Sequence, residues 1–354
     1  MNWRMHGLDN GLGDWTESWD ALNQVLYNAH PLYDSRFVSA LLRHFGTGGE
    51  RLLVHSSGAD IDGMMILSRA RRGVYRTFLP AQAQVCPVLV NSTALLDDVF
   101  HSLQPVTLAV DLMCQDPLYS PFGDQARLVN AERCHHALTM NIALDGDFDG
   151  YWSSRSKNLR SNIRRYRHRL QKESLQENMV LLDEPRDLHD AVARYGVLES
   201  NGWKGRAGTA VAIDNLQGAF YSEVLKAFAA SARGHVYEYY LNDALVASRL
   251  AISNTDMLVI LKTTYDETYA KFAPGRLLLY RVIEQGFVRG NSKSVELYTN
   301  ANQDQLSWAT GSRNIDHFTL YRNGAVRSLH RLVHGVKRMF PRLERKQPSG
   351  TTEQ

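Results

Sequence analysis

The segment from Thr263 to Gln285 (TTYDETYAKFAPGRLLLYRVIEQ) runs from an apolar strand through a polar loop into a helix that begins with Pro274, Gly275 and Arg276. A Pro-Gly start leaves backbone N–H groups pointing out of the helix end. With the macrodipole they form a site for a phosphate or another anion. A helix that merely begins without a capping side chain has the same pattern. The second charged segment, Arg155 to Lys172 (RSKNLRSNIRRYRHRLQK), holds eight Lys or Arg and no acid. Leu159, Ile163, Tyr166 and Leu170 are spaced 4, 3 and 4 apart, the seam of an amphipathic helix, which puts Lys157, Arg160, Arg164, Arg167 and Lys172 on the other faces. Such a face fits a solvated surface, a clamp for phosphates or a dock on an anionic membrane, since all three use charge alike. Cys86, Cys114 and Cys134 show no C-x-x-C spacing, so reduced thiols are expected, with neither a disulfide framework nor a metal site.

The elements that must position these side chains are visible in the patterning. Strands are expected at 51–57, 61–71 and 74–80, a meander preceded by helices at 15–28 and 35–45, with Ser35 as the expected cap. A helix near 92–103 and strands near 106–113 and 135–144 follow. The second half repeats this order: helices at 187–200 and 214–232, strands at 235–241, 244–253 and 257–265, then a helix at 275–289 and a strand at 293–299. Two similar α/β units are therefore expected, each a mixed, mostly antiparallel sheet flanked by helices. We place them at 1–150 and 151–323, followed by a basic amphipathic helix at 324–344 and a frayed tail at 345–354. That helix carries Val326, Leu329, Leu332, Val333, Val336, Met339 and Phe340 at helical spacing and fits either docking on its own domain or a membrane surface.

Length and composition agree with two packed globular units: 354 residues, 44% hydrophobic and 22% charged. There is no run of ~18–20 apolar residues as a membrane helix requires, and the N-terminus lacks a signal-peptide pattern, so a cytoplasmic protein is expected. The net charge of +3 hides an asymmetry. Residues 1–150 hold 10 Arg, no Lys and 17 Asp or Glu (−7), and residues 151–354 hold 30 basic and 20 acidic residues (+10). Opposite charge is expected to hold the basic helix against or beside the acidic half.

Five motifs in order, YWSSRSKNLRSNIRRYRHRL, LESNGWKG, ALVASRLAI, TYDETYAKFAPGRLLL and ELYTNANQDQLSW, resemble the CelD-like acetyltransferase family of the GNAT superfamily. That family accompanies bacterial cellulose and exopolysaccharide genes and is related to the Fem-type peptidoglycan aminoacyltransferases. The match covers about 150–310, and the first half resembles the partner GNAT-like domain of tandem proteins. The resemblance implies acyl transfer from acyl-CoA, acetyl or longer, with no metal. The pantetheine would lie beside Leu261, Lys262, Thr263 and Thr264, and the pyrophosphate at Gly275, Arg276, Leu277 and Leu278. Of the usual Q/R-x-x-G-x-G/A loop, Gly275 fits the first glycine and Leu277 stands at the second small position.

A transfer to an amine needs a base, a dipole for the oxyanion and a proton for the leaving group. Glu296 and Asp266 are the candidate bases, with a solvated acid or a salt bridge as the alternative for each. Tyr265 and Tyr298 are candidate proton donors. Lys157, Arg160, Arg164, Trp203, Lys204 and Trp308 are candidates for holding the acceptor, an anionic small molecule or glycan precursor, with Trp308 equally fit for packing. The last motif departs from the family's D-F-x-x-G-x-x-x-Y-K-x-x-W, with Gln305 at the lysine position. Three readings stay open at this stage: an acyl-CoA-dependent transferase, an aminoacyl-tRNA-dependent Fem-like enzyme, and a non-catalytic component of a polysaccharide machine. DNA is not an expected partner, peripheral membrane contact is compatible with the charge, and the sequence does not fix the oligomeric state.

Overall fold

The computed structural model describes residues 2–123, 130–202, 211–212 and 214–339. The strands are β1 (Asn2–Gly7), β2 (Arg51–Ser57), β3 (Asp60–Arg71), β4 (Val74–Thr77), β5 (Val88–Val90), β6 (Ala109–Gln115), β7 (Ala131–Ala143), β8 (Glu177–Leu182), β9 (Gly234–Leu241), β10 (Ala244–Ser253), β11 (Met257–Tyr265), β12 (Ser294–Leu297) and β13 (Gly311–Tyr321). The helices are α1 (Thr16–Tyr27), α2 (Ser35–Phe45), α3 (Val99–Ser102), α4 (Phe148–Ser154), α5 (Lys157–Lys172), α6 (Pro185–Ser200), α7 (Leu216–Ala229), α8 (Pro274–Arg289), α9 (Gln303–Leu306) and α10 (Gly324–Met339).

Both expected meanders form, β2-β3-β4 and β9-β10-β11, because their alternating apolar residues pair at tight turns. The cap of α2 is Asp34 and not the expected Ser35: its carboxylate accepts from Arg36 N–H. The helix expected at 92–103 is instead a 3-10 turn (Thr93–Asp98) and the four residues of α3.

All strands join one sheet in the order β1-β2-β3-β4-β6-β13-β7-β12-β11-β10-β9-β8, with β5 alongside β3. The halves exchange strands: β7 lies against β12, and β13 is inserted between β6 and β7. Pairing is antiparallel except in two places that correspond between the halves. β4 runs parallel to β6 through Val74–Ala109 to Arg76–Asp111, and β11 runs parallel to β12 through Met257–Ser294 to Val259–Glu296. Each parallel pair is only three residues long, and beyond it the strands diverge.

One core face is packed by α1, α2, α6 and α7, the other by α4, α5 and α8. The seam of α5 is buried as expected, with Leu159, Ile163, Tyr166 and Leu170 in the second of these cores. Four such side chains contribute about 6–10 kcal/mol, whereas a partly exposed pair such as Arg167–Glu177 contributes about 0–1 kcal/mol. Burial of the seam, and not attraction to the acidic half, therefore docks this helix, which corrects the charge-based expectation. It packs on α8 and on a 3-10 turn at Glu267–Phe272.

Candidate active site

The divergence of β11 from β12 opens a cleft of about 620 Å³, walled by Ile260–Thr263 and Tyr265, by Leu297–Thr299, and by the start of α8. A β-bulge sets its inner end. Leu250 pairs with Lys262 and Ala251 with Ile260, so Leu261 has no partner on β10. Its carbonyl, and that of Ile260, accept from Gln84 Nε2 (3.4 and 3.2 Å), a residue of the first half.

The outer end is the first turn of α8. Ala273 has φ 52°, the left-handed conformation, which turns the chain sharply into Pro274. Arg276 and Leu277 N–H both fold back on the Ala273 carbonyl (3.0 and 3.1 Å). A Cβ on Gly275 would meet Tyr265 Cδ1 at 3.5 Å, ordinary contact, and its φ is not positive. Packing within the protein therefore gives no reason for glycine there, although glycine costs about 0.5–1 kcal/mol relative to alanine in a helix. The bare backbone faces the cleft.

Tyr298 also lines the cleft and is the visible end of a buried polar chain. Arg313 donates to both oxygens of Asp116 (2.6–2.9 Å), to Glu296 Oε2 (2.9 Å) and to Tyr298 Oη (3.2 Å). His30 Nδ1 accepts from Leu32 N–H (3.3 Å), so the ring proton is on Nε2 and is donated to Tyr298 Oη at 2.9 Å. Burial pulls the His30 pKa down to about 3, which keeps the ring neutral. Burial also raises the Glu296 carboxyl above its usual range, against the pull of Arg313. Glu296, 2% exposed, sits behind Tyr298 and outside the cleft lining.

The other residues singled out in the sequence fall as follows. Leu261, Lys262, Thr263, Tyr265, Gly275, Arg276 and Trp308 line the cleft. Thr264, Leu277 and Leu278 are buried away from it, so only the backbone of the two leucines is at the helix start. Asp266 caps the 3-10 turn by accepting from Thr268 N–H and Oγ1–H, and is not in the lining. Arg160 and Arg164 face a separate depression with Trp152, His168 and Tyr280, and Lys157 is exposed; Tyr166 is what α5 presents to the cleft. Gln305 forms a capping box with Asn302, which gives the amide at that position a structural use. Trp203 and Lys204 lie outside the described residues.

His30, Gln84, Asp116, Arg249 and Arg313 escaped the sequence reading. His30, Gln84 and Asp116 lie far along the chain from the residues they serve, Arg313 lies just beyond the last motif, and Arg249 stands within ALVASRLAI, where an apolar strand pattern hides it. Cys114, His136 and His317 bring possible ligand atoms within 4.8 Å of one another. Cys114 N–H donates to His317 Nδ1 (2.9 Å), however, so the neutral ring holds its proton on Nε2 and offers no free lone pair. Burial raises the Cys114 thiol to about 11, away from the thiolate a metal takes. These three residues do not fit an ion as they stand.

The gap after the β4–β6 pair is closed. Thr77 Oγ1 accepts from Met113 N–H (2.9 Å), and the following segment crosses it, with Cys86 N–H on Cys114 O (3.2 Å) and Gln115 Nε2 on Cys86 O (3.0 Å). Among the described residues, only the second half keeps an open cleft at this place.

Residues 157–304 match the family model described as the acetyltransferase (GNAT) domain. Comparison with curated protein sequences gives no match. Among solved structures the chain is similar to FemX, at 10% identity over 93% of this chain and 99% of that one, with a TM-score of 0.57. It is also similar to the C-terminal domain of a putative lysylphosphatidylglycerol synthetase from Agrobacterium fabrum, at 11% identity over 84% and 91%, with a TM-score of 0.51. At these identities the likeness is one of fold. The architecture is thus a tandem GNAT-like α/β fold, and residues 157–304 of its second half, the half that holds the open cleft, match the acetyltransferase (GNAT) domain.

Proposed function

We propose that the cleft binds an acyl-CoA and passes its acyl group to an amine of a cell-envelope or exopolysaccharide precursor. The observation that carries this is the three-residue β11–β12 pairing, which opens onto the bare first turn of α8. The pantetheine amides would pair with the free edge of β11, and the pyrophosphate would meet the start of α8. A backbone N–H of the bulged segment around Leu261 would hold the oxyanion. The acceptor nitrogen attacks the carbonyl carbon, the C–S bond breaks, and the thiolate takes the Tyr298 phenolic proton. The amine's proton leaves through water, and solvent reprotonates Tyr298. Tyr298 Oη already accepts from His30 and Arg313, so its own hydrogen is left to donate.

The same cleft would serve a Fem-like reaction from aminoacyl-tRNA, in which a ribose hydroxyl replaces the thiol as leaving group; the likeness to FemX favours this second reading. We read residues 1–150 and 151–323 as the two repeats, chemistry being confined to the second. In α10, Leu329 and Leu332 are exposed, which supports peripheral contact with a membrane carrying a lipid-linked acceptor. Titration calorimetry with acetyl-CoA and longer acyl-CoAs tests the donor. We expect micromolar binding, and no heat with any of them sinks the CoA reading in favour of the RNA donor.

A further inference from the structure

Arg249, on β10, is 6% exposed and lines the cleft beneath the first turn of α8. Its Nη2 donates to the Gly275 carbonyl (3.2 Å), and its Nε, also buried, has no partner. Among the described residues no carboxylate pairs with it. Arg313, the other arginine buried near the site, is gripped by two. Burial pulls the Arg249 guanidinium down to about 10, which leaves it charged at neutral pH. A helix N-terminus carries partial positive charge. Here a buried cation hydrogen-bonded to the neutral Gly275 carbonyl sits against a positive helix end, an arrangement that costs the folded protein stability unless an anion completes it.

The other cations of this loop are occupied. Lys271 pairs with Glu173 (2.8 Å) and Arg276 with Asp304 (2.8 Å). The space above Gly275 is left open by the protein's own packing, as described above. We propose that Arg249 and the first turn of α8 together form a phosphate-binding site, in which the guanidinium contacts phosphate oxygens of the donor from below while the helix end meets them from the side. The guanidinium fork suits two oxygens of one phosphate. This rests on reading the cleft as the donor site and names the side chain that supplies its positive charge. The phosphate belongs to the pyrophosphate of an acyl-CoA or to a phosphodiester at the end of an aminoacylated RNA.

The test compares wild type with Arg249→Met and Arg249→Lys. Calorimetric probes are acetyl-CoA, S-acetylpantetheine, inorganic pyrophosphate and an aminoacylated RNA minihelix, and apo Tm is measured for each protein. Arg249→Met should bind acetyl-CoA or the minihelix at least 30-fold more weakly, leave S-acetylpantetheine within threefold, and melt at the wild-type temperature or above it. Arg249→Lys should lie between. A merely structural arginine predicts the reverse: a lower Tm and equal losses for the probes with and without phosphate, and that result overturns the proposal. So does Arg249→Met binding the phosphate probes as wild type does. Wild type that ignores acetyl-CoA but binds pyrophosphate and the minihelix through Arg249 removes the CoA reading and leaves this site standing. Wild type that binds none of the phosphate probes removes the site.

Discussion

At the scale of residues, two side chains joined through Arg313 in the same buried chain have different tasks. Tyr298 reaches the cleft and Glu296 stays behind it, ion-paired to Arg313. Tyr298→Phe deletes the proton offered to the leaving group and leaves His30 Nε2–H and one Arg313 N–H without that acceptor. Thiol release from acetyl-CoA should fall at least tenfold in kcat with little change in KM, as expected for an interaction made mainly in the transition state. Glu296→Gln should be tolerated, because Asp116 still compensates Arg313 and the amide oxygen still accepts its hydrogen bond. The Glu296 carboxyl is raised by burial, so the native state holds its proton more tightly than the unfolded one. The resulting stability is full below ~4.5, the ordinary glutamate range, and is lost as pH rises through the higher native value. Denaturation followed from pH 4.5 to 8 should therefore show wild type losing ground to Glu296→Gln as pH rises. A constant difference between the two would mean that burial does not control this carboxyl.

At the scale of elements, the start of α8 combines a poor helix residue with a cleft that needs bare backbone. Gly275→Ala should stabilise the fold by up to ~1 kcal/mol, since alanine is the better helix former and meets only the Tyr265 ring edge. The same methyl group intrudes where a phosphate would approach, so acetyl-CoA affinity should drop about tenfold. Calorimetry and a melting curve on one sample check both signs. Stability rising with affinity unchanged would leave Gly275 without a role.

This element was legible because Pro274-Gly275 after an apolar strand is a local signal, and so was the α5 seam, whose four apolar residues keep one helical face. β13 was not legible. Its residues Gly311, Ser312, Arg313 and Asn314 look like a surface loop, yet the strand is inserted between β6 and β7 and uses Arg313 as a buried tie. The short edge strands β1 and β8 were missed as well, since β-pattern is carried by burial and edge strands have little of it.

At the scale of the whole molecule, the first half has closed its own gap but supplies parts to the second. Gln84 bonds the inner end of β11, Asp116 anchors Arg313, and His30 carries the hydrogen bond that fixes Tyr298. The two halves thus build the cleft together, and none of these ties follows from spacing along the chain. His30 makes the coupling measurable. Its ring is buried neutral, with its pKa lowered from the usual ~6.5 to about 3, so unfolding at acid pH takes up a proton that the native state refuses. Stability from this source is complete above ~6.5 and is lost as pH falls toward 3, by up to ~1.4 kcal/mol per pH unit. His235, lowered to about 4 by burial, adds a similar slope. His30→Gln keeps a donor near the Nε2 position, strips Leu32 N–H of its acceptor and removes the titration. At pH 7.5 the variant should be less stable than wild type by about 1–3 kcal/mol, the cost of an unsatisfied buried donor. From pH 6.5 to 4.5 that gap should narrow by the equivalent of one proton, because only wild type pays for the histidine. Urea denaturation at steps of half a pH unit reads the gap directly, and thiol release at pH 7.5 should fall with it if the first half orients Tyr298. Parallel stability curves would show that His30 is not held neutral between the halves, and unchanged turnover would separate the first half from the chemistry.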